Sequence, residues 1–203
     1  MINRLRQSLQ LRWYKFAPTD RLIEQIRSGS GGSKTQAMLD ALRERLAYQD
    51  GSLNSVDWSL AKLNGVALSS CRLYKANFAG ASLRGAYFGY SDLRHACLKE
   101  ADLSEANLRE ARLEGADMSG ANLQSTNLAH ADLRGALLVS ANLVSANLWE
   151  TDLRGADLSR AIMTACAAHR IKVDQSTILP DGKSCRGAGG FKPFIVTGEG
   201  NSN

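Results

Sequence analysis

The side chains of this 203-residue chain best suited to reaction chemistry are three histidines and four cysteines. A metal centre or a nucleophile–base pair needs such groups at short spacings, as in C-x-x-C or H-x-E. His95, His130 and His169 stand far apart in the repeat described below, and Cys71, Cys97, Cys166 and Cys185 form no C-x-x-C pair. Gly182-Lys183-Ser184 matches only the end of a phosphate-binding loop, without the upstream glycine. The many aspartates recur at fixed intervals and belong to that repeat, so pairing them as catalytic acids has no basis. The sequence therefore predicts no catalytic residue, no metal site, no cofactor and no enzymatic activity. Unpaired thiols suit a reducing compartment, and a cytoplasmic location is expected. Cys185, toward the tail, would be reactive if exposed.

What positions these residues is a repeat of five. From Leu53 to Met163 every fifth residue is large and apolar, and 18 of these 23 are leucine. Two residues before each stands a small residue, alanine in 16 of 23 units, and between the two lies Asp or Asn in 13. Five residues of α-helix turn about 500°, so helical leucines would spiral over every face. On a continuous strand an odd period would flip each leucine to the opposite side. Both inward positions are satisfied if each unit is a short extended piece followed by a bend, which closes into a polygonal solenoid. Leu103, Leu108, Leu113, Leu123, Leu133, Leu143 and Leu153 are then core residues. Such a core explains how a chain with 44% apolar but only 6% aromatic residues can pack.

Runs such as Ala101-Asp102-Leu103-Ser104-Glu105 and Ala106-Asn107-Leu108-Arg109-Glu110 resemble the pentapeptide-repeat family, with its A(D/N)LXX pattern. The resemblance covers residues 51–165 in unbroken phase. It implies an all-β solenoid, a right-handed quadrilateral parallel β-helix with 20 residues per coil. Coils about 4.8 Å apart would pair their backbones. Some members mimic DNA with strongly acidic rods and bind type II topoisomerases. Here residues 51–165 carry 11 basic and 12 acidic side chains, and no loop interrupts the repeat. That makes a poor duplex mimic, so a topoisomerase- or DNA-related regulator ranks below an interaction scaffold.

A solenoid needs capped ends. Residues 34–50 are predicted as an N-terminal capping helix begun by a Ser33/Gln36 capping box, with Met38, Leu42 and Leu46 on its inner face. Before it, residues 1–33 read as a basic amphipathic arm and linker. Leu9, Trp13 and Phe16 fall at helical spacing in residues 1–16, Pro18-Thr19-Asp20 starts a short helix, and Ser28 to Gly32 forms a flexible joint. Residues 166–186 read as a C-terminal cap with a turn at Leu179-Pro180-Asp181-Gly182. Residues 187–203 are a Gly-rich tail around Phe191-Lys192-Pro193-Phe194-Ile195-Val196. No run reaches the roughly 18 apolar residues of a spanning helix, although residues 1–16 could touch an anionic membrane surface peripherally.

Two outward features are candidate partner sites. Tyr74, Arg94, Arg134 and Arg154 form a basic column beside Asp92, Asp132 and Asp152, read in preference as a mutually neutralised face. Leu137, Val139, Val144, Trp149 and Ile162 place apolar groups where the repeat expects polar ones, within little more than one coil. They would bind a partner or be covered by the tail; Tyr87 and Tyr90 form a smaller spot elsewhere. The formal charge of +5 resides in the arms, since the repeat itself sums to −1. The expected partners are therefore proteins or further copies of the chain, with nucleic acid not expected on the rod.

Overall fold

A computed structural model of the chain describes residues 17–29, 31–44 and 47–185. From Asp57 onward, each Asp/Asn position pairs in parallel with the residue 20 places on, from Asp57–Asn77 to Asp152–Lys172. Four five-residue units therefore make one coil of a parallel β-helix. Every residue of the leucine column from Leu53 to Met163 is buried, as is every small residue from Val56 to Ala161.

The unit Ala101–Glu105 shows why the pattern is what it is. The Ala101 N–H closes a turn onto the Leu98 carbonyl (3.2 Å), and Asp102 N–H donates down to Ala81 (3.0 Å). Leu103 and Glu105 donate up to Asn122 (2.8 Å) and Gln124 (2.9 Å). Only the Ser104 N–H has no backbone acceptor, and the Asp102 carboxylate takes it at 3.1 Å. An Asp or Asn two residues earlier is the side chain that reaches such an amide, so the consensus completes the hydrogen bonding of the units that carry it. Asparagines in register also bond to each other, as Asn142 to Asn122 (3.1 Å) and Asn147 to Asn127 (3.3 Å).

Each turn has the φ signature of a type II turn, which needs a positive value at its third residue. Every fifth residue from Ser55 to Arg170 has φ between 54° and 70°, and 17 of these are not glycine. Coil-to-coil bonding holds side-chain-bearing residues in a conformation that costs each of them about 1 kcal/mol.

Ahead of the first coil lie helices α1 (Thr19–Ser28), α2 (Ser33–Glu44) and the single turn α3 (Ala47–Asp50). Leu22 and Ile26 of α1, one turn apart, are fully buried, and Trp58 donates its indole N–H to the Ile23 carbonyl at 3.3 Å. Arg27 pairs with Asp57 at 3.1 Å. Residues 17–28 thus pack on the first coil and are not part of a free arm. The expected flexible joint is also seated: Gly31 has φ +80°, and a Cβ there would lie 2.8 Å from the Lys62 carbonyl oxygen. Met38, Leu39 and Leu42 of α2 are buried as a lid residue must be. The capping box does not form as expected. Gln36 N–H bonds to Gly32 (3.1 Å), while its side chain reaches Asp40 (2.8 Å) and accepts the Ala67 N–H (3.3 Å). Arg43 donates to the Ala67 carbonyl at 3.0 Å, so two α2 side chains occupy the backbone donor and acceptor of one edge residue of the first coil.

At the other end the register outlasts the predicted boundary at 165, since pairing at 20-residue offset continues to Lys172. The core thins there, where Ala168 and Val173 hold the leucine position and pack half-buried against it beside buried Cys166 and Ile171. One residue is then inserted, and Asp157 pairs with Ile178. Asp174 absorbs the insertion by accepting the Gly155 N–H on its side chain (3.2 Å). The chain finally doubles back, pairing Ile178 with Ser184 in antiparallel sense around Gly182. Leu9, Trp13, Phe16, Leu46 and residues 187–203 lie outside the described residues.

Candidate interaction surface

Four units per coil give four sides, each carrying a column of outward residues. The chemistry-bearing groups fall on them differently from their order in sequence. Cys71, Cys166 and Cys185 are buried. Burial pushes the Cys71 thiol far up and the Cys166 thiol up to about 11, so both are inert at neutral pH. Cys185 is fully covered, so the exposure on which its reactivity depended is absent. Among the described residues no group of three His, Cys, Asp or Glu could hold a metal. No described helix is long and apolar enough to cross a membrane.

The five apolar candidates do not form one patch. Leu137 and Val139 occupy one side, Val144 and Ile162 the next, and Trp149 the one after, because each five-residue unit turns a corner. Leu137, Trp149 and Ile162 are exposed (41%, 42% and 53%), whereas Val139 and Val144 are half-buried.

The Trp149 side gains other members instead. Its column of central residues runs through Phe88, Leu108, Leu128 and Leu148, so Tyr87 and Tyr90 share this side with Trp149 rather than forming a spot elsewhere. The Trp149 ring stacks on His169 one coil on, with centroids 5.5 Å apart and planes 18° from parallel. His130 Nδ1 lies 3.5 Å from Glu150 Oε2, and Arg170 donates to Glu150 Oε1 at 3.2 Å. That hydrogen bond from Arg170 is the main cause holding the Glu150 carboxyl below its ordinary range. His130 and His169, distant in sequence, therefore flank one residue pair. Tyr90 OH meets Glu110 at 3.2 Å, and Arg109 pairs with the same carboxylate at 3.1 Å. The periodicity of 20 was the signal that groups these residues; comparing their positions modulo 20 would have found them.

The basic column stands on a different side. Arg94, Arg134 and Arg154 each fork onto the Asp two residues earlier, with closest contacts of 2.6, 2.7 and 2.7 Å. These bonds hold the carboxyls of Asp92, Asp132 and Asp152 below the usual range. Arg134 also reaches Glu114 at 3.3 Å. Tyr74 meets His95 edge-on at 5.6 Å.

A parallel β-helix built of five-residue units in unbroken phase defines a repeat protein. A family model for pentapeptide repeats matches residues 61–100, 101–138 and 138–176 in eight copies. The chain belongs to the pentapeptide repeat family. Among solved structures it is similar to HetL, a pentapeptide repeat protein involved in heterocyst differentiation regulation in Nostoc sp. strain PCC 7120. That match has 32% identity and a TM-score of 0.64 over 66% of this chain and 61% of HetL. It is also similar to a pentapeptide repeat protein of the Arabidopsis thaliana thylakoid lumen, at 33% identity over 44% of this chain and 63% of that one, with a TM-score of 0.44. The chain thus spans less than two thirds of either relative. No curated protein matches.

Proposed function

We propose that this protein is a non-enzymatic interaction scaffold: a right-handed, four-sided rod, closed at its first coil by helices, that docks a protein partner along the Trp149 side. The observation that carries this reading is that Tyr87, Tyr90 and Trp149, the exposed Tyr and Trp rings of the described rod, share one side. Exposed rings of this kind are the residues most often found at the energetic centre of protein interfaces. The charges beside them are already paired, Glu110 with Arg109 and Glu150 with Arg170, so a partner meets amphipathic rings and an asparagine ladder instead of unbalanced charge. The near-neutral repeat argues against a duplex mimic as the alternative.

The experiment is affinity purification with crosslinking at native abundance, comparing the full chain with Trp149→Glu and with Ile162→Glu on another side. Loss of a specific complex with Trp149→Glu alone is expected. A complex indifferent to Trp149→Glu would sink the reading, as would equal loss from both variants.

A further inference from the structure

The basic column is two different surfaces. In its C-terminal half every arginine has its own aspartate, and Glu114 adds a second carboxylate to Arg134. In its N-terminal half Arg94 and Arg112 share Asp92 as their ion-pair partner, with the fields of Glu114 and Asp132 reaching Arg94 and Arg112 from the next coil. Arg94 grips Asp92 at 2.6 and 2.7 Å, and Arg112 stands 3.8 Å away. No described carboxylate lies within ion-pair distance of Arg72 or Lys75. Lys75 lies over the Tyr74 ring at 5.3 Å instead, with the Arg94 guanidinium 5.7 Å from the same ring. Neighbouring carboxylates are engaged elsewhere: Glu110 by Arg109 and the Tyr90 hydroxyl, and Asp50 by the Ser52 N–H, with Arg72 contributing only its field.

We infer that this half of the column is a docking site for an acidic peptide segment of a protein partner. Arg72, Lys75 and Arg112 are exposed, so the site is open. It spans three successive coils, about 10 Å at the coil spacing, and an extended peptide sets alternate side chains about 7 Å apart. Two or three alternating carboxylates therefore match its length. A nucleic-acid backbone would use cations along the whole column, yet Arg134 and Arg154 are each forked onto a carboxylate, which leaves Lys172 as the exposed cation of that half without an ion pair among the described residues. The site lies on a different side from Trp149 and stands whether or not that side binds.

The test uses the full chain and a fluorescein-labelled heptapeptide of alternating Glu and Ser, read by fluorescence anisotropy at low and moderate salt. Affinity should fall steeply with salt. Arg72→Ala combined with Lys75→Ala should weaken binding at least tenfold with the melting temperature unchanged. Arg134→Ala combined with Arg154→Ala, on the same column, should change it less than twofold. Absence of binding at low salt overturns the inference. So does full-strength binding after the Arg72/Lys75 change, which would assign the peptide to other cations such as those of residues 1–16. Equal loss from both pairs, or tighter binding of a DNA duplex of matched charge, overturns it as well.

Discussion

The Ser91 hydroxyl donates to the Leu68 carbonyl at 2.6 Å, across one coil and one corner, and the Cys71 N–H donates to the same hydroxyl at 3.3 Å. Thr126 and Thr151 repeat the first bond to Leu103 and Leu128 at 2.8 and 2.9 Å. Each hydroxyl stands 23 residues after its acceptor, in a slot where alanine is the rule. The difference at Ser91 is that its hydroxyl also accepts the Cys71 N–H, which makes no turn bond of its own to the Leu68 carbonyl, whereas the turns reached by Thr126 and Thr151 are closed by the Ala106 and Ala131 N–H groups (3.0 Å each, to Leu103 and Leu128). Ser91→Ala, although it restores the consensus, should therefore destabilise by about 1–2 kcal/mol by orphaning the Cys71 amide. Denaturant unfolding of the full chain would show it, and a neutral effect would mean that the turn closes by itself.

Leu137 holds one of the column positions without Asp or Asn, so its unit lacks the side-chain acceptor for the amide two residues on. Among the described residues nothing accepts the Val139 N–H, whereas Val144 N–H finds Asn142 at 3.2 Å. Leu137→Asn should supply that acceptor and raise stability by roughly 0.5–1 kcal/mol. Thermal melts of the two proteins decide it; a fall in melting temperature would show that the exposed leucine packs for a larger gain than a hydrogen bond gives.

Glycines at the turns and in the joint should answer differently to the same change. Gly135 has φ 63° with open space where a methyl group would stand, and 17 side-chain-bearing residues already hold that conformation. Gly135→Ala should cost only about 1 kcal/mol. Gly31→Ala would drive a Cβ against the Lys62 carbonyl, a backbone atom that cannot swing aside. It should loosen α1 and α2 and expose Trp58, which a red-shifted tryptophan emission would report; identical melts for both variants would contradict this.

Acid should weaken the rod in a defined window. Hydrogen bonds from Arg94, Arg134 and Arg154 lower the carboxyl pKa values of Asp92, Asp132 and Asp152 in the folded state. A folded value below the unfolded one contributes stability that is complete above the ordinary aspartate range, near pH 4, and lost as pH falls through the lowered value. Calorimetry should find a flat melting temperature from about pH 5 to 8 and a decline below about pH 4. Arg134→Gln should make that decline shallower, and an unchanged slope would remove Asp132 from the account.

The period of five was enough to derive inward Ala and Leu, because no other backbone keeps both buried in unbroken phase. It could not place Trp149 beside His169, or part Val144 from Trp149, until the number of units per coil was used to fold the sequence into columns. Charge counts alone hid the same distinction: residues 51–165 sum to −1, yet no described carboxylate lies within ion-pair distance of Arg72 or Lys75 while Arg154 has one. Gln36 misled for a different reason. Its spacing from Ser33 fits a local cap, but the Ala67 edge amide of the first coil competed for the side chain and won.

That capture of Ala67 by Gln36 and Arg43 has a consequence for self-assembly. The first coil of a β-helix presents the same unpaired edge that lets strands recruit copies of themselves. Here one edge residue, Ala67, has both its backbone donor and its backbone acceptor taken by side chains of a helix folded over it, so a second molecule stacking end-on would have to lift α2 first. The rod's length is thereby a property of one chain, and concentration should not lengthen it from that end.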